Sequence, residues 1–421
     1  MPRSRLAKFM PSNSISLDHH SADLIRVLQK IIRVPTVNPP GEHYDELSQI
    51  LVDELNALGL KTQRFPIPAH LLKKRLPDQT AFPRYNILAR WDVGAPKTIH
   101  FNAHYDVVPV SGTWRHGDPF SGKVEKGWIY GRGTADMKGS IASLLTALRA
   151  LRAAGTPPRC NVEVSFTADE ETDSALGTEW VVNHAKLKAD YAIVMEGCAG
   201  LEICCGHNGV VWLQVTVHGR AAHGSTPQKG INALEKMSAL VLALQKYQRG
   251  LSRKRWKIPG GKVMTPTLNV GGVFESGVGG KINTVPAMAR FTLDRRVLPV
   301  ENHAAAEKEL RKFITHAARQ IPDCKITIDK ISENFSCLTD PRSSFQKAVA
   351  TSIARVRKSK PIFRVSTGFN DMYFFAEQLR VPTVGYGPDG VDYHAVDERA
   401  PLNDLMTTAK IYVDLLTTFE G

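Results

Sequence analysis

The sequence is poor in the features that mark membrane-spanning, secreted or disulfide-stabilised proteins. No segment approaches the ~20 consecutive apolar residues that a membrane helix needs, and no apolar run near the start is long enough for a secretory signal. The six cysteines include no CxxC pair, and the adjacent Cys204 and Cys205 would form a strained bridge with each other. We therefore expect reduced thiols in a cytoplasmic protein that has no membrane partner.

Positive charge exceeds negative charge, but it is not concentrated in one block. The formal net charge is +13, and the basic residues form short clusters, among them RKRWK at 253–257 and RVRKSK at 355–360. These clusters are not interleaved with a stacking platform and match no nucleic-acid-binding module, so we expect no nucleic-acid partner. The excess charge favours small anionic substrates. Binding of DNA or RNA that weakens steeply with salt would support the alternative.

The length of 421 residues and the hydrophobic content of 43% predict a globular protein with two domains. In the first part of the chain, short apolar strands alternate with amphipathic helices, which predicts an α/β sheet packed on both faces. Longer alternating strands and two helices then predict an inserted α+β domain. The expected domains are 1–207, with a loose tail over 1–20, then the insertion 208–332, and finally 333–421, which completes the first domain.

Three neighbouring carboxylates follow one of the predicted strands. Asp169, Glu170 and Glu171 come directly after NVEVSFTA, where a solvated turn at the start of a helix is the simplest interpretation. Other polar side chains follow further strands of the first domain or lie in the glycine-rich stretch GRGTADMKGS: His104, Asp106, Asp136, Glu196 and His394. Each of these alone is more often a helix cap, a solvated strand end or a hydrogen-bonded loop residue.

The shared placement of these residues favours a metal site. Binding sites in open α/β sheets gather outside the carboxyl ends of the strands, so the side chains can converge although they are far apart in the sequence. Imidazole and carboxylate groups suit Zn²⁺, and one bridging carboxylate can hold two ions roughly 3.5 to 4 Å apart. The sequence therefore predicts a site for two divalent cations.

Seven motifs follow one another in the order of a known family. They are HYD at 104–106, GRGTADMKG at 131–139, TADEE at 167–171, MEG at 195–197, GRAAHGSTP at 219–227, NTVPAMARFTLDRR at 283–296 and GPDGVDYHAVDE at 387–398. This series resembles the acetylornithine deacetylase, succinyl-diaminopimelate desuccinylase and carboxypeptidase G superfamily of zinc hydrolases. The resemblance implies an α/β fold: a mixed-sheet zinc-hydrolase catalytic domain flanked by helices, with an inserted smaller α+β dimerisation or lid domain.

The resemblance also implies roles for residues of the catalytic domain. The implied ligands of two zinc ions per chain are the bridging Asp136, His104 and Glu196 on one ion, and Glu171 and His394 on the other. Asp106 orients His104 and raises its basicity, and Glu170 is the general base. Because Co²⁺ and Mn²⁺ accept similar ligands, the physiological metal stays open.

In the inserted domain, the resemblance implies three residues that bind substrate. His223 reaches the site of a neighbouring subunit and stabilises the oxyanion, and Asn283 and Arg296 hold substrate, with Arg296 able to grip a carboxylate through two hydrogen bonds. Arg295 beside it can be interpreted as a surface strand charge. The strand VVWLQVTVHG is expected to offer an edge for pairing across a two-fold axis.

The predicted reaction is hydrolysis of a linear amide, in which zinc-activated water attacks the carbonyl and Glu170 passes the proton to the leaving nitrogen. We expect a homodimeric amidohydrolase that removes an acyl group from an N-acylated amino acid or related amine. The alternative is a metallo-carboxypeptidase or dipeptidase that acts on short peptides. The substrate pocket departs from many relatives, because STGFNDMY stands in place of GGTDAR and introduces Phe369, Asn370 and Tyr373. A protein that only stores metal is disfavoured, because it needs no base.

Overall fold

Two units make up the chain in the computed structural model, which describes residues 15–258, 262–276 and 281–421. Unit 1 comprises Met1–Cys205, Thr339–Arg364 and Asn370–Gly421, and unit 2 comprises Gly206–Leu338 and Val365–Phe369. The loose tail expected over 1–20 falls for the most part on residues 1–14, outside the described residues. Ile15 and Leu17 are buried in the core of unit 1, so the packed chain begins before residue 21.

Helices and strands alternate along most of the described chain. The α-helices are α1 (Ser21–Ile32), α2 (Tyr44–Ala57), α3 (Ala69–Arg75), α4 (Lys138–Ala153), α5 (Thr178–His184), α6 (Ala233–Leu251), α7 (His303–Arg319), α8 (Ser344–Arg357) and α9 (Leu402–Thr418). The strands are β1 (Lys61–Pro66), β2 (Tyr85–Trp91), β3 (Thr98–His104), β4 (Lys123–Glu125), β5 (Trp128–Tyr130), β6 (Asn161–Thr167), β7 (Tyr191–Val194), β8 (Glu202–His207), β9 (Gly209–His218), β10 (Trp256–Lys257), β11 (Val263–Met264), β12 (Thr267–Ser276), β13 (Met288–Val297), β14 (Lys325–Asn334), β15 (Cys337–Leu338), β16 (Ile362–Ser366), β17 (Thr383–Gly385) and β18 (Arg399–Pro401). Within the described residues, no helix has the length and hydropathy needed to cross a membrane.

A mixed sheet forms the centre of unit 1 and confirms the predicted α/β class. Seven strands follow the order β1-β2-β6-β3-β7-β17-β8. Strand β3 runs parallel to β6 and β7, and β17 runs parallel to β7, whereas β1, β2 and β8 make antiparallel pairs. The carboxyl ends of β6, β3, β7 and β17 therefore lie at the same edge of the sheet.

Apolar faces of the helices pack together to form the core of unit 1. In α1 the buried side chains are Leu24, Val27, Leu28, Ile31 and Ile32, whose spacing of three and four residues forms one face. Helix α4 is buried over most of its surface and packs against α1, α9 and β3. Helix α8 also packs on α9.

All six cysteines are thiols, as predicted.

Unit 2 contains a four-stranded antiparallel sheet and the helices α6 and α7. The strand order is β12-β13-β9-β14, and side chains from β9, β13, α6 and α7 form a second core. Strand β9, the stretch VVWLQVTVHG, is hydrogen-bonded on both sides. The expectation that it offers an edge is therefore wrong, because the later strands β13 and β14 pair with it from either side. The edges of this sheet are β12 and β14.

The interpretation of Arg295 as a surface charge is wrong. Its side chain is fully buried, and its guanidinium donates to Glu301 Oε1 at 2.7 Å and to the carbonyl of Arg296. Arg296 itself is 30% exposed and pairs with Asp294 at 2.9 Å. Because successive side chains of a strand point to opposite faces, β13 carries one buried arginine next to one accessible arginine.

We expect Arg295→Met to lower the free energy of unfolding by about 3 kcal/mol, because it removes the buried guanidinium that donates to Oε1 of the largely buried Glu301 carboxylate. Arg296→Met is the matched control: it removes an exposed ion pair and should change the free energy by less than about 1 kcal/mol. Urea denaturation of both variants measures the difference. Equal losses would contradict the contrast in burial between the two arginines.

Candidate metal centre

Polar side chains converge where the parallel strands of unit 1 end. They are His104 at the end of β3, Glu170 and Glu171 after β6, Glu196 after β7, His394 between β17 and β18, and Asp136 shortly before α4. The topology explains these positions, since the buried strands β3, β6 and β7 end at or shortly before their polar residues and run parallel to one another. This edge of the sheet is where α/β proteins bind ligands.

Asp136 lies at the middle of this cluster. Its Oδ1 is 3.1 Å from His104 Nε2, and its Oδ2 is 3.2 Å from His394 Nε2. Glu196 Oε2 is 3.5 Å from the same nitrogen of His104, and Glu171 Oε2 is 3.2 Å from that of His394. The five side chains thus form two groups, and each group contains one oxygen of Asp136.

The donor set fits a pair of divalent cations. Glu171 Oε1 and Glu196 Oε1 are buried and have no hydrogen-bond partner within the described part of the chain. A buried acceptor without a partner is unfavourable, and one cation in each group would satisfy its oxygen. Ligand atoms of His104, Asp136 and Glu171 also lie within 4.8 Å of one another. Imidazole nitrogen and carboxylate oxygen together suit Zn²⁺, Co²⁺ or Mn²⁺.

The two histidines and the central carboxylate stabilise one another's charged forms. Burial disfavours a charged His104, but neighbouring carboxylates, Asp106 first among them, outweigh burial and raise its pKa well above the ordinary value. Hydrogen bonds to Asp136 and Glu171 raise the pKa of His394 to about 10. Burial opposes ionisation of Asp136, but the two histidines hold its pKa well below the usual range. The cluster therefore attracts positive charge strongly.

The three glutamates of the cluster have raised pKa values, because burial and neighbouring negative charge disfavour their ionised forms. Burial, followed by the charge of Asp136, raises the pKa of Glu171 to about 7. Burial also raises the pKa of Glu196 to about 7, against the opposing effect of His104. Burial and the charge of Glu196 raise the pKa of Glu170 well above its ordinary value. Positive charge beyond that of the two histidines would favour the ionised form of all three carboxylates.

Asp106 lies beside the cluster and accepts hydrogen bonds from the backbone of the residues that carry two of its carboxylates. Its Oδ1 accepts the amide of Glu170 at 3.2 Å, and its Oδ2 accepts the amide of Glu171 at 3.1 Å. Asn38 donates to Oδ2 at 2.9 Å, and His104 Nδ1 lies 3.4 Å from Oδ1. This fully buried carboxylate therefore holds the backbone of both glutamates, while His104 Nδ1 is closer to the backbone carbonyl of Asp106, at 3.1 Å.

The three neighbouring carboxylates after β6 point in different directions. Asp169 is 1% exposed and accepts Arg84 Nε at 3.0 Å and the Asn38 amide at 3.1 Å. Glu170 and Glu171 face the cluster, with side chains 11% and 5% exposed. The interpretation of this stretch as a solvated turn is therefore wrong. Sequence reasoning missed Arg84 and Asn38, and no signal pointed to them, because neither lies in a motif.

The residues that depart from the usual pocket sequence are packed into their units. Asn370 is 3% exposed, and the ring of Tyr373 packs edge-on against Phe374 in unit 1. Phe369 packs against an imidazole within unit 2. The adjacent Asp371 accepts two short hydroxyl hydrogen bonds, from Ser174 Oγ at 2.6 Å and Thr178 Oγ1 at 2.5 Å. This stretch therefore supports the loop after β6 from within unit 1.

The three residues predicted to bind substrate lie in unit 2, at two separate places. His223 and Asn283 are adjacent, since the amide that follows His223 donates to the carbonyl of Asn283 at 2.6 Å. Both lie near the first residue of β13, Met288, in the loops at that end of the strand. Arg296 is next to the last residue of β13, Val297. At about 3.3 Å per residue, the length of β13 between Met288 and Arg296 separates these places by roughly 25 Å. A single unit 2 therefore does not bring Arg296 together with His223 and Asn283.

Comparison with known proteins agrees with this fold. The model of peptidase family M20/M25/M40 matches residues 100–418. A succinyl-diaminopimelate desuccinylase of Methylobacterium radiotolerans is 29% identical over 414 residues, which cover 96% of this chain and 98% of the relative. The relationship extends over nearly the whole of both chains.

Solved structures share the fold. The M20 family metallo-carboxypeptidase Sso-CP2 of Sulfolobus solfataricus has a TM-score of 0.73 at 22% identity, with 94% of this chain and 98% of that chain covered. The YXEP protein of Bacillus subtilis, a dinuclear metal-binding peptidase, has a TM-score of 0.67 at 15% identity, with 95% and 98% covered. At these identities the likeness establishes the architecture.

A mixed α/β sheet with imidazole and carboxylate groups at its carboxyl edge is typical of metal-dependent hydrolases. The matched family model spans most of the chain, and the chain belongs to peptidase family M20/M25/M40. It is a metal-dependent hydrolase that acts on amide or peptide bonds. The superfamily and the enzyme class predicted from the motifs are thereby confirmed.

We expect the protein to bind two divalent ions per chain. A chelator should abolish hydrolysis, and added Zn²⁺ or Co²⁺ should restore it. Glu171→Gln should lose metal, because it removes a carboxylate from the group around His394. Glu170→Gln, a change of the same shape one residue away, should keep both ions. Elemental analysis after gel filtration measures the number of metal ions bound per chain. One ion in a fully loaded wild type, or equal losses in both variants, would contradict this division.

Proposed function

We propose that the chain is a dinuclear amidohydrolase that removes an acyl group from an N-acylated amino acid or related amine. The observation that carries the proposal is the position of Asp136, whose two oxygens face two histidines that each have their own glutamate. Two Zn²⁺ ions are the occupants that we propose, and the similarity to a desuccinylase supports an N-acyl substrate. The setting that we propose is the cytoplasm, because all six cysteines are thiols.

The chain's own residues supply the remaining parts of the reaction. Two cations held by the cluster would act as Lewis acids and bring the pKa of water to about 7. Glu170 is assigned as general base, because its carboxylate lies 3.9 Å from His104 Nε2 and neither ligand group requires it. It takes a proton from the attacking water and gives it to the leaving nitrogen. Asp106 fixes its amide and so restricts the position of the carboxylate.

Arg296 is the proposed binding group for a carboxylate of the substrate. Its guanidinium is partly exposed and pairs with Asp294 through two nitrogens, at 2.9 and 3.2 Å. A planar guanidinium that already holds one carboxylate in this way has the geometry to bind another. A metallo-carboxypeptidase or dipeptidase would use the same cluster and the same base, so the choice between the two activities depends on the substrate pocket.

A panel of N-acetyl, N-succinyl and N-formyl amino acids beside dipeptides tests the proposed activity. We expect the highest kcat/KM for N-acyl amino acids that carry a free carboxylate. Arg296→Ala should raise KM more for these acids than for their amides, because it removes a carboxylate-binding group. Preferred hydrolysis of dipeptides would select the peptidase alternative. Equal effects on acids and amides would exclude Arg296 from carboxylate binding.

We further propose that the active form is a homodimer. If Arg296 of one subunit binds the substrate, His223 and Asn283 must come from another copy, because one β13 holds them roughly 25 Å apart. The edge strands β12 and β14 allow pairing across a two-fold axis. On α6, Leu234 and Leu242 are 45% and 63% exposed, and burial of both would favour such pairing.

Mixing two inactive variants tests whether His223 acts on the other subunit. Glu170→Gln should lower kcat on the order of 10² to 10⁴ fold, and His223→Ala should remove an oxyanion donor. After random exchange of chains, half of the dimers are mixed, and each mixed dimer holds one intact site, so activity should return to about a quarter of wild type. Verified exchange without recovered activity would show that His223 does not serve the neighbouring site.

A further inference from the structure

Glu398 is a fully buried carboxylate that none of the proposed roles uses. Its Oε1 accepts three backbone amides, those of Gly133 at 3.0 Å, Ala135 at 2.9 Å and Asp136 at 3.1 Å. Its Oε2 accepts Arg132 Nη1 at 2.6 Å. All four donors belong to the stretch GRGTAD, so one carboxylate holds the loop that carries the central ligand of the cluster.

Glu398 also belongs to the segment that carries His394. It lies four residues further along the chain, and its own carbonyl accepts the amide of Gly131 at 2.9 Å. On the other side of His394, a Cβ on Gly390 would lie 2.2 Å from Ala135 Cβ, so the two backbones are in close contact there as well. The Asp136 loop and the His394 segment are therefore joined on both sides of the histidine.

We propose that Glu398 is a positioning residue that fixes Asp136 between its two histidines and thereby couples the two metal positions. The inference rests on the proposed function, because it requires Asp136 to bridge two ions. Three amides that point at one anionic oxygen define the backbone of the loop. Without that charge, the three amides keep only a neutral acceptor and the Arg132 guanidinium loses its anionic partner, so the loop is held more weakly and adopts positions in which Asp136 no longer faces both histidines.

A purely structural role leads to a different expectation. In that case, removing either partner of the Arg132–Glu398 pair would weaken metal binding in proportion to the loss of stability. Arg132 contacts only Oε2, so Arg132→Met leaves the three amide hydrogen bonds at Oε1 in place. Arg132→Met is therefore the matched control for Glu398→Gln.

Competition between the metal-free protein and a chromophoric chelator for Zn²⁺ separates the two roles. We expect Glu398→Gln to weaken the binding of both ions about 10- to 100-fold, the usual effect of losing a partner behind a metal ligand. Arg132→Met should keep wild-type affinity, although its melting temperature falls as well. The visible absorption of the Co²⁺-loaded protein reports the coordination geometry, and it should change in Glu398→Gln and stay unchanged in Arg132→Met.

Wild-type affinity and an unchanged Co²⁺ spectrum in Glu398→Gln would overturn the inference, and so would equal losses of affinity in the two variants. If Glu398→Gln does not fold, Glu398→Asp replaces it, since this variant keeps the charge and shortens the side chain by one methylene. It should show a smaller loss of affinity, and wild-type affinity there would also overturn the inference. A wild-type chain that binds fewer than two ions would instead refute the proposed function, so the two failures are distinguishable.

Discussion

The confinement of several carboxylates in one buried space is the constraint on which the site depends. Around two histidines lie Asp136, Glu170, Glu171 and Glu196, and burial raises the pKa of all three glutamates. Such a group would separate or take up protons unless its backbone were fixed and positive charge were supplied. The fold provides the first condition through Asp106 and Glu398, two buried carboxylates that each accept amides from a ligand-bearing loop. Metal ions bound by the cluster would provide the second.

The sequence could predict the cluster because residue chemistry and residue placement coincide there. His104 and Glu196 lie at or just after the ends of short segments that the sequence predicts as strands, and parallel strands bring their carboxyl ends together. The pattern of strands and helices in the sequence also predicted the α/β class and an inserted α+β domain. None of this required knowledge of which strand pairs with which.

Strand order and side-chain direction could not be predicted, because both depend on contacts between distant parts of the chain. Asp169 is equivalent to its two neighbours in sequence, and it is held in the core by hydrogen bonds from Arg84 and Asn38, which are far away in the chain. Strand β9 alternates like an edge strand, yet β13 and β14 pair with it on both sides. Glu398 lies inside a recognised motif, but its task concerns backbone amides, which no side-chain pattern reveals.

The distribution of charge between the units bears on the choice of substrate. Residues 206–338 hold 20 lysines and arginines against nine aspartates and glutamates, so most of the formal excess of +13 belongs to unit 2. The acidic cluster of unit 1 alone would repel an anionic substrate, whereas bound cations reverse the local sign. The positive charge of unit 2 adds a field that raises the concentration of anions near the protein. Under the proposed function, an N-acyl amino acid with a free carboxylate would thus be favoured twice, first by the field and then by an accessible guanidinium such as Arg296.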